Sequence, residues 1–424
     1  MQPTDLIVTV IKDGARRFLL FSQVGGKEEK IELTERTTHA LGELSKHLPQ
    51  SLHEFHEQIC KFPNRSHKSF WSELDAALYH LRSIGSEFIV NLVDRETKPR
   101  LYDIFASAFG IGDRRQNPAR ISLIVESTDL DLLSFPLELL PIMDPTNALG
   151  PIERVETDEQ LARAVLRFPA FGAIVTRQIA RAFDGRTELE RCAEGRMPIK
   201  IIRNTGFYQK DNRRTTFSDA EWLGSQPQFV AEEPWPDHVI DAPSAVAMLG
   251  RCLHDPRFTL SREPEMRGYG DQIQHFSCHC TRHDDGSETL GLRDQEMEVK
   301  ALGIKLASLG ATFLDAGKRE ANSNDIAGPL IFLNACGSGA INPKGRLSLV
   351  ELLLNWTPAR AIVATETPVD FPLAARFARL VYEGLFAGLP LGRAMHRARW
   401  RFIDDEQLPF GLFYSLYGSS ELRF

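Results

Sequence analysis

No apolar stretch in the 424-residue chain reaches the roughly 18 residues that a membrane-spanning helix needs. The best candidate, residues 132–143, is interrupted by Pro136 and Glu138. The first residues, MQPTDL, lack the basic segment and the apolar run of a secretory leader. We therefore expect a cytoplasmic protein rather than an exported or membrane-embedded one.

Cysteine is scarce, an excess of basic residues is absent and no repeat period is visible. Six cysteines in a chain of this length, without an export signal, predict thiols rather than a disulfide framework. A net charge of −7 argues against a broadly basic nucleic-acid surface. What is present is 42% hydrophobic and 25% charged residues, the balance of a globular protein with a full core.

The hydrophobic pattern changes along the chain from a strand and helix region to a regular alternation of both. Residues 6–33 predict two or three strands, Glu35–Arg82 predicts helix, and Phe88–Val93 predicts a strand. From Ile199 onward strands alternate with helices, which predicts a mostly parallel sheet flanked by helices. The predicted strands there are 199–203, 238–240, 272–278, 330–335, 361–365 and 413–417, with helices at 244–253, 299–309, 347–355, 372–387 and 390–402.

Two of these strands end in reactive side chains, His279 and Cys336. Functional groups of parallel sheets gather past the carboxyl ends of the strands, so we expect the two residues to share one edge. An imidazole beside a thiol can accept its proton and create a strong nucleophile. The Gly337-Ser-Gly339 segment after Cys336 permits a sharp turn, with backbone amides directed at a developing oxyanion.

The first of these strand ends also has metal-ligand residues at short spacing, in His275-x-x-Cys278-His279-Cys280-x-x-His283. Side chains alternate between the two faces of a strand, however, so His275 and Cys278 point in opposite directions. No second pair of cysteines or histidines nearby completes a zinc ribbon or finger. A zinc-binding module is the less favoured alternative, and we expect no metal and no organic cofactor.

Five segments, in order, resemble the CHAT family of caspase-like cysteine peptidases, relatives of caspases and separase. They are distributed over about 290 residues of the chain and comprise Leu133–Leu140, His275–His279, Phe332–Gly339, Gly388–Ala394 with Ala398-Arg399, and Leu416–Gly418. Two positions depart from the family pattern. Cys280 stands where the family has glycine, and no tryptophan occurs in Thr365–Asp370.

The resemblance implies a caspase-hemoglobinase-like α/β fold and a cysteine endopeptidase with His279 as general base and Cys336 as nucleophile. The oxyanion would be held by the amides of Cys336 and of Cys280 or Gly337. It also implies an N-terminal pseudo-protease half, and we divide the chain into three parts accordingly. Residues 1–110 form an N-terminal strand and helix region, and residues 111–190 form the rest of the pseudo-protease half and a linker. Residues 191–424 form the protease domain.

Specificity, regulation and partners follow from the same resemblance. Glu366 and Asp370 follow a predicted strand, and an acidic residue in this segment of separase-like enzymes receives a basic P1 side chain; Asp370 is the preferred candidate. Polar loops at 281–289, 316–328 and 340–346 suggest a gated enzyme, controlled by a partner protein, a ligand or cleavage in a bacterial defence or cell-death system. An inactive caspase-like scaffold that binds a protein partner is the main alternative.

Overall fold

The structure is a computed structural model that describes most of the chain. The residues described are 5–13, 16–23, 26, 28–34, 36–60, 68–109, 113–125, 137–139, 154–179, 187–192, 195–203, 219–232, 242–256, 258, 270–283, 287–292, 295–309, 328–335, 338 and 348–424. No helix among them is both long and apolar enough to cross a membrane.

Strands and helices alternate along most of the described chain. The strands are β1 Asp5–Asp13, β2 Arg16–Gln23, β3 Glu29–Glu32, β4 Ala119–Val125, β5 Ala173–Ile179, β6 Met197–Arg203, β7 Phe229–Glu232, β8 Ile273–Arg282, β9 Glu288–Leu292, β10 Gln295–Glu298, β11 Leu330–Ala335, β12 Ala361–Thr365 and β13 Tyr414–Gly418. The helices are α1 Thr37–Cys60, α2 Lys68–Leu92, α3 Lys98–Phe109, α4 Asp158–Val165, α5 Pro169–Gly172, α6 Asp219–Ser225, α7 Ala242–His254, α8 Val299–Leu309, α9 Leu349–Trp356, α10 Phe371–Phe386 and α11 Leu391–Glu406.

The chain divides into two compact units. The first contains residues 1–180 and 392–415, and the second contains residues 181–391 and 416–424. In the first unit the strand order is β3-β2-β1-β4-β5. The two N-terminal hairpins are antiparallel, whereas β1, β4 and β5 run parallel. The interpretation of residues before about 190 as a pseudo-protease half stays a prediction.

A buried ionic cluster lies in the first unit. Glu138 accepts hydrogen bonds from both Nε and Nη2 of Arg177, at 3.2 and 2.5 Å, and both side chains are almost fully buried. Arg399 on α11 donates to the carbonyl oxygens of Ala170, Gly411 and Tyr414. Burial, more than any neighbouring charge, lowers the pKa of Arg399 to about 10, while attraction to Glu138 raises it. Glu138 and Arg399 both belong to segments that carry the family resemblance, and the contacts give them structural roles.

The second unit is built on a parallel sheet with the strand order β7-β6-β8-β11-β12. All six residues of β11 are buried, as expected for a strand covered on both faces. Beyond the parallel sheet, β8 continues into an antiparallel arm with β9 and β10. The predicted fold class, a mostly parallel sheet flanked by helices, is therefore confirmed.

Local sequence explains where several elements of the second unit begin and end. Ser348 caps α9 through a reciprocal pair of hydrogen bonds with Glu351, the arrangement known as a capping box. At the end of β13, Gly418 has a φ of +86°, and a Cβ there would lie 2.4 Å from the carbonyl oxygen of Arg360. Only glycine fits this left-handed position against the neighbouring backbone.

One predicted strand is wrong, and several elements were not predicted. Phe88–Val93 is not a strand, because residues 88–92 form the last turns of α2, where buried side chains recur at helical spacing. Strands β7, β9 and β10 and helices α4 and α6 had no counterpart in the sequence prediction. The predicted strand at 238–240 lies outside the described residues, and none of the five described cysteines is in a disulfide.

Candidate active site

The two predicted catalytic segments lie side by side. Strands β8 and β11 are parallel neighbours, and the last residue of β11, Ala335, is the register partner of Cys278. His279 is the next residue of β8, and Cys336 is the next residue of the chain after Ala335. Cys336 and Gly337 lie outside the described residues, so their predicted roles stay predictions, but both strands reach the same edge of the sheet.

His279 is the first residue of β8 beyond the parallel sheet. It is the register partner of Gly291 in the antiparallel arm and is exposed, whereas Cys278 and Cys280 on the opposite face are buried. Partial burial of the ring lowers the pKa of His279 below its ordinary value. A lowered pKa keeps more of the imidazole neutral at physiological pH, which is the form that accepts a proton.

The chain on either side of Cys336 is fixed by hydrogen bonds. The carbonyl oxygen of Ala335 accepts from the amide of Ser338 at 3.1 Å and from the hydroxyl of Thr365 at 2.5 Å. The amide of Thr365 in turn donates to the Ser338 hydroxyl at 3.3 Å. Ser338 and Thr365 are both fully buried. The end of β12 thus binds both Ala335 and Ser338, the described residues on either side of Cys336 and Gly337.

A buried carboxylate, Asp219 at the start of α6, lies against β8 and β11 near this edge. It accepts from Ser277 Oγ at 2.7 Å, from Asn334 Nδ2 at 2.6 Å and from His275 Nε2 at 2.9 Å. Tyr382 Oη lies 3.1 Å from the other ring nitrogen of His275. Sequence reasoning missed this cluster. The polar residues Ser277 and Asn334, each two positions before a predicted catalytic residue in a strand expected to be buried, were a signal that a buried polar partner exists.

The two acidic candidates for substrate specificity have different surroundings. Glu366 directly follows β12, is half-buried, and accepts a hydrogen bond from Tyr417 Oη at 3.1 Å. Asp370 is exposed and caps α10, accepting from the amide of Leu373 at 3.3 Å. Glu366 therefore lies next to Thr365 and the end of β11, while Asp370 has a structural role that the sequence did not suggest.

The zinc alternative finds no support in the contacts of His275. Both of its ring nitrogens have protein partners in the sheet interior, Asp219 and Tyr382, so neither faces an open site. In the part of the chain that the structure describes, no group of three or more histidine, cysteine, aspartate or glutamate residues is placed to hold a metal ion.

The predicted polar loop at 281–289 is in part an ordered hairpin. Thr281 pairs with Thr289 and Arg282 pairs with Glu288 in the ladder between β8 and β9. Glu288 also accepts from Arg282 at 2.6 Å and from the amide of Leu349, at the start of α9, at 3.1 Å. The arm that carries His279 is thereby joined to the helix that follows the Cys336 segment. The other two predicted loops lie almost wholly outside the described residues.

Comparison with known proteins gives one curated relative and several solved structures. No protein-family model matches it. A protein of Vitiosangium sp., named a probable protease, is 30% identical over 96 residues, which cover 22% of this chain and only 12% of that protein. Among solved structures, the Arg-specific cysteine proteinase gingipain R matches with a TM-score of 0.44 at 9% identity, over 76% of this chain and 67% of its own. Saccharomyces cerevisiae separase, in complex with securin, matches with a TM-score of 0.43 at 9% identity, over 98% of this chain and 30% of its own.

Proposed function

We propose that the protein is a caspase-like cysteine endopeptidase of the CHAT type, with Cys336 as the nucleophile and His279 as the general base. The observation that carries the proposal is the register of β8 and β11, in which Cys278 lies opposite Ala335 and the two reactive residues follow directly. In this mechanism the thiolate attacks the scissile carbonyl, and the imidazolium then protonates the leaving amine. The amides of Cys336 and of Cys280 or Gly337 would hold the oxyanion.

The decisive experiment measures cleavage of fluorogenic peptides and labelling by a peptide with an electrophilic warhead. Cys336→Ala and His279→Ala should each abolish turnover, because either change removes the covalent route. Cys278→Ala is the matched control: its thiol is buried on the other face of β8 and should leave activity largely intact. Wild-type protein that is neither labelled nor active, even after addition of lysate from phage-infected cells, would favour the inactive scaffold instead, and turnover by Cys336→Ala would refute the mechanism.

For specificity, we propose that Glu366 receives a basic P1 side chain. Its support is position, since Glu366 adjoins the β12 end that binds Ala335 and Ser338, whereas the carboxylate of Asp370 caps a helix. A half-buried carboxylate favours Arg over Lys through paired charge-assisted hydrogen bonds. In a P1-scanned peptide library, Glu366→Gln should lose the preference for Arg and Asp370→Asn should keep it. An apolar or acidic preference that neither variant changes would contradict the assignment.

We also propose that a protein partner, a ligand or cleavage gates the enzyme in the cytoplasm, within a bacterial defence or cell-death system. Support comes from the resemblance described above and from the polar composition of the sequence at 281–289, 316–328 and 340–346. The test is phage challenge of bacteria that carry the wild-type gene or Cys336→Ala, together with labelling of the purified protein with and without infected lysate. Full labelling of the protein alone, and equal phage sensitivity of both strains, would contradict the proposal.

A further inference from the structure

Asp219 is a carboxylate in the interior of the second unit, with only 2% of its surface exposed. Its Oδ1 accepts from the Ser277 hydroxyl and its Oδ2 accepts from Asn334 and His275. Burying an unpaired carboxylate is very costly, so a group in this position persists only if its oxygens are well satisfied. These three donors come from the two strands that lead to His279 and Cys336.

Two of the three contacts, those with Ser277 and Asn334, fall on one row of the sheet. Ser277 and Asn334 are register partners in the ladder between β8 and β11. Each of them precedes a predicted catalytic residue by two positions in sequence, Ser277 before His279 and Asn334 before Cys336. Asp219 therefore bridges β8 and β11 at Ser277 and Asn334, each two residues before a predicted catalytic residue. Side chains two residues apart in a strand lie on the same face of the sheet.

The carboxylate is held in its charged form. Although burial alone would raise the pKa of Asp219, attraction to His275 and the hydrogen bonds from His275, Asn334 and Ser277 lower it below the ordinary value. Tyr382, on the far side of His275, has a pKa raised well above the ordinary value by burial and by the charge of Asp219, so the phenol stays protonated. Charge-assisted hydrogen bonds of this kind are shorter and stronger than neutral ones.

We propose that Asp219 is a positioning residue for the catalytic dyad: by bridging Ser277 and Asn334, it holds the ends of β8 and β11 at the separation that proton transfer between Cys336 and His279 requires. This inference rests on the proposed function, because it assigns a role toward that dyad. A displacement of about 1 Å between reacting groups can cost about 100-fold in rate, so a rigid bridge below the dyad has a measurable kinetic effect.

The same strand provides a matched control at its other end. Asp271, two residues before β8, is 1% exposed and accepts from Lys200 Nζ at 2.6 Å. Asp271 and Asp219 are thus both almost fully buried carboxylates with short charge-assisted contacts, Asp271 next to the start of β8 and Asp219 next to its end. A general loss of stability would affect both substitutions, whereas loss of dyad geometry would follow only from the change at Asp219.

The experiment compares Asp219→Asn with Asp271→Asn in the full chain, with kcat and KM normalised to folded protein. A second readout is the pH profile of Cys336 alkylation by iodoacetamide, which reports the thiolate without any substrate. We expect Asp219→Asn to lower kcat by about 10- to 100-fold with little change in KM, and to shift the alkylation profile. Asp271→Asn should change neither kcat nor the alkylation profile. A double variant that combines Asp219→Asn with Asn334→Asp should recover part of the kcat lost in Asp219→Asn alone.

Several outcomes would overturn this inference. One is an Asp219→Asn protein with wild-type kcat and alkylation profile, and another is an Asp271→Asn protein with an equal kinetic loss. If Asp219→Asn does not fold, Ser277→Ala removes only one donor, and wild-type kinetics of that variant would then refute the role. Failure of the proposed function looks different, because wild-type protein would then show no cleavage that Cys336→Ala abolishes.

Discussion

The buried pair Glu138–Arg177 permits a sharp test of how the first unit is stabilised. The exposed fractions of the two side chains are 2% and 3%, and Arg177 Nη2 lies 2.5 Å from Glu138 Oε2. Breaking a buried ion pair by removing one partner costs about 3–5 kcal/mol, because the other charge stays buried without compensation. We expect Arg177→Met and Glu138→Gln each to destabilise this unit within or near that range.

The two substitutions should differ in size. After Arg177→Met, Glu138 still attracts the buried Arg399, which points to the lower end of the range. After Glu138→Gln, the guanidinium groups of Arg177 and Arg399 repel each other without the carboxylate that binds one and attracts the other, which points to the upper end. Native-state hydrogen exchange of the amides of β4 and β5 measures this unit alone, and about 3 kcal/mol corresponds to roughly 100-fold faster exchange.

The control is a pair with similar geometry at the surface. Arg163 Nη2 lies 2.6 Å from Glu159 Oε1 on α4, but the two side chains are 55% and 76% exposed. Exposed pairs are worth about 0–1 kcal/mol, so Arg163→Ala should hardly change the exchange of β4 and β5. Equal effects of Arg163→Ala and Arg177→Met would refute the reasoning that burial decides the cost. A smaller loss for Glu138→Gln than for Arg177→Met would refute the role assigned to Arg399.

Three further outcomes are expected. Burial lowers the pKa of His396 to about 3, so below pH 6.5 the folded state binds fewer protons than the unfolded chain. Urea unfolding should therefore show a free energy of unfolding that falls from pH 6.5 to 4, and His396→Gln should make this pH dependence weaker. Gly328→Ala would place a Cβ 1.6 Å from the carbonyl oxygen of Pro358, so thermal unfolding should show a severe loss of stability, and a wild-type melting temperature would contradict this. Thr365→Val removes the hydroxyl that binds Ala335 and should lower the rate of peptide cleavage about tenfold. Thr365→Ser keeps the hydroxyl and should keep the wild-type rate. Equal cleavage rates of the Val and Ser variants would exclude a positioning role for Thr365.

Much of the second unit could be predicted because two of its central strands, β11 and β12, are nearly continuous apolar runs. Residues 330–335 and 361–365 were predicted with the same bounds that β11 and β12 have. The adjacency of the His279 and Cys336 segments followed from strand–helix alternation, since parallel strands end at one edge. A rule about topology therefore predicted that these two strand ends are neighbours without any knowledge of side-chain contacts.

The errors have equally physical causes. Phe88–Val93 has the apolar, β-branched composition of a strand, yet the spacing of the buried residues Leu81, Phe88 and Leu92 continues a helix of 25 residues. The arm strands β9 and β10 were missed because they have only five and four residues, with several glutamates among them. Asp219 could not be assigned because the side chains that bind it lie 56 or more residues away in sequence.

Buried charges at both ends of β8 explain how its register is specified. A strand covered on both faces has no alternation of polar and apolar residues, so hydrophobic burial alone distinguishes poorly between a correct and a shifted pairing. At the start of β8, Asp271 binds Lys200 of β6, and near its end Ser277 and His275 bind Asp219. A shift of one residue would leave these charges buried without partners, at a cost of several kcal/mol each. The polar residues of β8 thereby exclude the shifted pairings that would separate His279 from the end of β11.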